Sequence, residues 1–242
     1  MMEVHVPEHP VMTWRQFFEH MGIVVLGLLI ALGLEQTAEW LHHRHQAHEV
    51  REGIERDLEI TVTNAEGAER YYEAMVARDA AAIKDTQAAF LKHAPVPALV
   101  PVPGIADWDQ PNDPSYQSAK ASGRLALLSE DEVRVFSEVD TPIQSLSGAF
   151  NTLDAVDSGL NEFKARFGMP GASGNTWKDA SPDDVRRYMT ALAAEQNQAR
   201  SIALTFATIH AIAEEVAKGE RDLPTIYKAE NDEYMKAMQR MQ

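Results

Sequence analysis

The chain has 242 residues and no cysteine, which excludes disulfides, thiol nucleophiles and Cys-based zinc sites. Its 22 Lys and Arg stand against 37 Asp and Glu, a net charge of -15. That is the wrong sign for neutralising phosphates, so no nucleic-acid partner is expected. A composition 45% hydrophobic and 24% charged excludes a disordered or low-complexity chain.

Residues 1–12 read as an N-terminal tail and residues 13–40 as a transmembrane helix. Met21 to Leu34, MGIVVLGLLIALGL, carries no charge. As a helix it covers about 21 Å, short of the ~30 Å hydrocarbon core, and Phe17 and Phe18 lengthen it. Trp14 and Trp40 bracket the run at a spacing of about 39 Å, close to the distance between the two membrane interfaces. Amphipathic Trp rings favour that depth, so both are expected interface anchors in a lipid bilayer. Two other readings compete, a buried core helix and a cleaved signal peptide. The signal peptide is disfavoured because MMEVHVPEHP has no basic n-region and Leu34 is followed by EQTAEW rather than a small-x-small site. Gly27 and Ala31, four apart, share a face on which a neighbouring span can approach closely. The plainer reading is that Gly and Ala are common in membrane helices. Arg15 precedes the apolar run and Arg44, Arg51 and Arg56 follow it, a weak lean toward a cytoplasmic body. Long acidic domains, however, translocate largely regardless of charge.

Residues 41–93 continue as a long juxtamembrane helix. Ile54, Leu58, Val62, Ala65, Tyr72, Val76, Ile83 and Phe90 form an apolar stripe. Asn64 and Gly67 are its weak points, and Pro95 predicts an end near His93. Leu41 to His48 holds four of the nine histidines. His42, His45 and His48, spaced by three, lie on one side of the helix and are candidate metal ligands. The alternatives are a pH-sensitive contact at the headgroups and a plain solvated face.

Residues 94–114 carry six of the twelve prolines, which forbids regular helix. Trp108, in the middle of this loop, is expected either to pack on its own domain or to contact a partner. Residues 115–219 read as a helical bundle. Ser115 to Ser122 is a short helix ended by Gly123. Ser129 and Glu132 form a capping box. The stripe that follows runs from Val133 through Phe136, Ile143, Leu146, Phe150, Leu153, Val156, Leu160 and Phe163 to Phe167, with a break or kink expected at Pro142. Met169 to Asn175 is a glycine-rich turn, and Ser181-Pro182-Asp183-Asp184 starts another helix. Val185, Met189, Leu192, Ala199, Ile202, Phe206, Ile209, Ala213 and Val216 form its stripe, ending at Gly219. Residues 220–242 are a short terminal helix or tail, on which Met235, Met238 and Met241 are expected to bury. No alternating, strand-like run appears. The predicted fold is all-α, with three long helices packed as an up-down bundle.

The acidic residues are scattered on polar faces. There is no G-x-S-x-G, Walker A loop, G-x-G-x-x-G or H-E-x-x-H. Neither an enzymatic activity nor a cofactor is expected.

The order of features resembles an uncharacterised single-pass bacterial membrane-protein family. The resemblance rests on GIVVLGLLIALGLEQTAEW, on HEVREGIERDLE, and on SYQSAKASGRLALLSEDEVRVFSEVD, with Tyr116, Ser122, Gly123, Leu125, Leu128, Ser129 and Val133 at the matching positions. It covers the first sixty residues and roughly 115–140. It implies an N-terminally anchored helical domain on the periplasmic face of a bacterial inner membrane, with no activity to carry over. The present N-terminus departs from that family in having one basic residue, Arg15. The expected function is a non-catalytic accessory or scaffold subunit of a larger membrane complex, respiratory or photosynthetic for example, with other membrane subunits as partners. The alternative is a tethered sensor or ligand-binding module using the histidines.

Overall fold

The computed structural model describes residues 14–102 and 109–242. Helix α1 spans Trp14–Leu91, α2 Pro114–Ala121, α3 Glu130–Phe167, α4 Pro182–Ala217 and α5 Leu223–Arg240. Single turns of 3-10 helix occupy Arg124–Leu127 and Trp177–Asp179. There is no strand among the described residues. The chain divides into two units, Met1–Glu49 and Val50–Gln242.

The described part of the first unit is the opening portion of α1. It contains a helical window long and apolar enough to cross a membrane, and none of that window is buried. Ile23 is 70% exposed and Leu34 67% exposed. A core helix would bury those side chains, so that reading is overturned. Two local contacts support the helix's entry. Arg15 pairs with Glu19 at 3.2 Å, and the rings of Trp14, Phe17 and Phe18 cluster within 5.9 Å of one another.

In the second unit α1 runs without interruption to Leu91. Asn64 and Gly67 do not break it. Ala65 and Ala68 beside them are fully buried, so packing outweighs the glycine's cost of about 1 kcal/mol. The helix stops two residues before the expected end, and His93 takes a positive φ of 54° ahead of Pro95.

Cross-helix contacts fix the directions. Gln198 on α4 donates to the Ala149 carbonyl on α3, and Arg166 on α3 pairs with Asp184 on α4, so these two helices are antiparallel. Arg200 on α4 reaches the Met241 carbonyl, and Arg221 reaches back to the Val216 carbonyl, which makes α5 antiparallel to α4. On α1, Glu55 meets Arg221 while Glu69 and Glu73 meet Arg240, so α1 and α5 run parallel. Arg51 meets Glu132 and Tyr72 meets Phe150, so α1 also runs parallel to α3. The result is a bundle of four helices in which α1, α3 and α5 run one way and α4 the other, rather than the up-down bundle of three expected. Helix α5 has 18 residues, longer than a short tail. Only part of its apolar surface is used. Ile226, Ala237 and Met241 are buried, whereas Met235 and Met238 are exposed, contrary to expectation.

Two aromatic groups hold the core. Tyr72 of α1 stacks on Phe206 of α4 at 5.8 Å and on Phe150 of α3 at 6.3 Å. Nearer the Gly168–Asn175 turn, Trp177 meets Phe167 at 4.9 Å and Tyr188 at 4.8 Å, and its indole N–H donates to the Gly168 carbonyl. Helix α3 continues past Pro142 instead of breaking near Thr141. Proline interrupts one backbone hydrogen bond at a cost of about 3 kcal/mol. Val139, Ile143 and Leu146 are buried on either side of it, and burying each such side chain returns about 1.5–3 kcal/mol. The Ser129–Glu132 box forms as predicted, with Ser129 N–H donating to Glu132 Oε2 at 3.0 Å. A second box, Ser181 with Asp184, starts α4.

Candidate functional site

The residues singled out from the sequence are not brought together. His42 Nε2 lies 3.0 Å from Gln46 Nε2, and His45 pairs with Glu49 at 3.3 Å. His42, His45 and His48 are all exposed, and among the described residues no group of three or more His, Asp or Glu is arranged to hold a metal. Trp14 and Trp40 are exposed, and the Arg44 guanidinium covers the Trp40 ring at 5.4 Å. Around Gly27 a side chain would meet nothing within 4 Å, so the Gly27/Ala31 face is open. Trp108 lies outside the described residues.

The structure assembles a different set of polar groups, buried between helices. Arg78 on α1 places Nη2 2.6 Å from Asp79 Oδ1 and 2.8 Å from Glu195 Oε2 on α4. Asp79 is fully buried, and its Oδ2 has no hydrogen-bond partner. Burial, then the Glu195 charge, pushes Asp79 up to about 7. Asp157 on α3 is raised to about 6 by burial first and Glu195 second. One guanidinium thus joins α1 to α4 beside an excess of acids. A second network closes the end of α5. Arg240 pairs with Glu69, with Glu73 at 2.7 Å and with Glu233 at 3.1 Å, and His210 Nδ1 lies 3.9 Å from Glu69. Burial pushes Glu69 up to about 7 against the pull of Arg240. A third lies at α2, where Gln117 Nε2 bridges Asp113 and Asp140, at 3.3 and 2.7 Å. Asp113 is raised to about 6 by burial and then by Asp140.

Next to the Arg78 network a cavity of about 380 Å³ opens between α1 and the extended segment 97–101. Ala74, Ala77, Ala81 and Ala82 supply the small-residue wall on α1, with Leu99 opposite and Tyr188 of α4 at the inner side. The segment is held at both ends by buried Val96 and Val102. It also presses on the glycine turn. A Cβ at Gly171, whose φ is +81°, would collide with Ala98. Glycine is needed there for both its backbone angle and its missing side chain.

The signal for these groups is present in the sequence but is easily passed over. Glu69 and Asp79 fall in phase with the stripe Ala65–Tyr72–Val76–Ile83, and Glu195 falls in phase with Leu192 and Ala199. A charge at a core register is the mark of a buried ion pair. Their partners come from other helices, and no local spacing announces them. No protein-family profile, curated protein or solved structure matches the chain.

Proposed function

We propose that this protein is a non-catalytic accessory or scaffold subunit of a larger assembly in a bacterial inner membrane. In this reading the apolar portion of α1 is a single transmembrane anchor and the helical body lies on the periplasmic side. The observation that carries the proposal is a pair of unused apolar surfaces. One is the wholly exposed apolar run of α1, which suits lipid. The other is on α5, where Tyr227, Tyr234 and Met238, at i, i+7 and i+11, line up on one exposed face with Met235 at its border. Tyr and Met are enriched at protein interfaces. The strongly shifted carboxyls lie in pairs between helices, a placement that suits holding the bundle together. The open Gly27/Ala31 face supports packing against another subunit's span.

The test is purification of the tagged full chain from native membranes in mild detergent. The proposal predicts a stoichiometric partner that is lost from the Tyr234→Glu, Met238→Glu variant while membrane association is kept. A wild-type chain that purifies alone refutes it. Labelling of Asp179→Cys in intact spheroplasts by a membrane-impermeant maleimide is expected for a periplasmic body, and protection contradicts that placement. A second reading, a tethered ligand-binding module, is favoured by one observation only, the cavity beside Tyr188.

A further inference from the structure

Two largely buried hydroxyl-bearing residues line the cavity between α1 and segment 97–101. Tyr188 is 2% exposed, and so is Thr86. Neither hydroxyl makes a hydrogen bond to another described residue. Elsewhere on α4, by contrast, Thr190 and Thr205 return theirs to carbonyls one turn back. A hydroxyl open to a cavity is met there by water, and a ligand acceptor that takes the water's place contributes about 0.5–1.5 kcal/mol. Burial pushes Tyr188 up to about 12, so near neutral pH it stays protonated and offers a donor.

The charges around the cavity are already committed or wet. Arg78 lines it, yet its guanidinium is held by Asp79 and Glu195, which leaves no free cation for an anionic ligand. Asp85 sits at the exposed rim, where an ion pair contributes little. The remaining wall is alanine, leucine, valine and proline. The volume falls in the roughly 300–1,000 Å³ range of small-molecule sites.

We infer that this cavity binds an uncharged, largely apolar small molecule bearing a carbonyl-type hydrogen-bond acceptor, which the Tyr188 hydroxyl engages as donor. The alanine wall takes the apolar body of the ligand, and Thr86 offers a second hydroxyl. The inference stands apart from the subunit reading, since it needs neither a partner protein nor a particular side of the membrane.

Benzophenone is an uncharged aryl ketone that attaches to nearby C–H groups on irradiation. The full chain, purified in dodecyl maltoside, would be irradiated with it across a concentration series and the adducts mapped by peptide mass spectrometry. Saturable labelling within 74–101 or at the Tyr188 peptide is the expected result. Diphenylmethane, which lacks the carbonyl, should compete about five- to tenfold less well than unlabelled fluorenone, the worth of one neutral hydrogen bond. Tyr188→Phe should abolish that preference while leaving the circular dichroism spectrum unchanged. Ala81→Trp, which fills the cavity, should abolish the labelling. Labelling that never saturates, that is confined to residues 14–40, or that keeps its preference for the ketone in Tyr188→Phe overturns the inference.

Discussion

Glu69, Asp79 and Glu132 set how this protein should respond to pH. Folded Glu69 keeps its proton up to about 7, whereas an ordinary Glu gives it up near 4.5. Between those values the folded state holds the extra proton, so stability falls as pH rises through this window. Asp79, raised from 3.8 to about 7, acts in the same direction. Glu132 acts in the opposite one. Its hydrogen bond from Arg51 at 2.6 Å is the main reason it is lowered to about 2. That contribution is present above the ordinary Glu value and disappears as pH falls toward 2. The melting temperature should therefore peak near pH 5 and decline toward both pH 8 and pH 3. Glu69→Gln should flatten the limb between pH 5 and 8. A melting temperature that climbs from pH 5 to 8 contradicts the placement of these buried carboxyls. At this scale the sequence was only partly legible. Ser129 with Glu132 and Ser181 with Asp184 announce their caps because both partners are local. Arg78 with Glu195 and Arg240 with Glu69 are pairs made by folding, and no spacing within one helix specifies them.

Helix periodicity carried most of the element-scale reading, and its errors share a cause. Asn64, Gly67 and Pro142 are local helix breakers, and each was overruled by burial of its neighbours. Helix α5 looked like a tail because its apolar residues are few and only Ile226, Ala237 and Met241 turn inward. It packs along α4 through those few residues, and Arg221 and Arg240 add ion pairs to acids on α1. The histidines suggested chemistry through spacing alone, yet among the described residues no further ligand joins them. The core is the more predictable part. Phe206 is fully buried and stacked on Tyr72, so Phe206→Ala should cost about 3–5 kcal/mol in chemical unfolding. Pro142→Ala should go the other way and stabilise α3 by about 1 kcal/mol or more, because the Glu138 carbonyl regains a donor. A loss of stability in Pro142→Ala would mean that the proline ring's own packing in α3 is worth more than the hydrogen bond it forfeits.

For the whole molecule, the division of labour was visible from composition before any contact was known. Residues 36–242 hold 33 acidic and 21 basic residues, while the longest uncharged run lies between residues 21 and 34. The body's acidity disfavours contact with anionic lipid and favours a basic partner or open water. The bundle buries its own core, which accounts for its fold without any partner. The apolar run of α1 is exposed throughout, and it is long and apolar enough to cross a membrane. The most direct test is the intact mass of the chain recovered after alkaline carbonate washing of native membranes. A chain that retains the residue 14–40 segment and remains in the membrane pellet is the predicted result. A shorter chain beginning beyond Leu34 and released into the supernatant would contradict it.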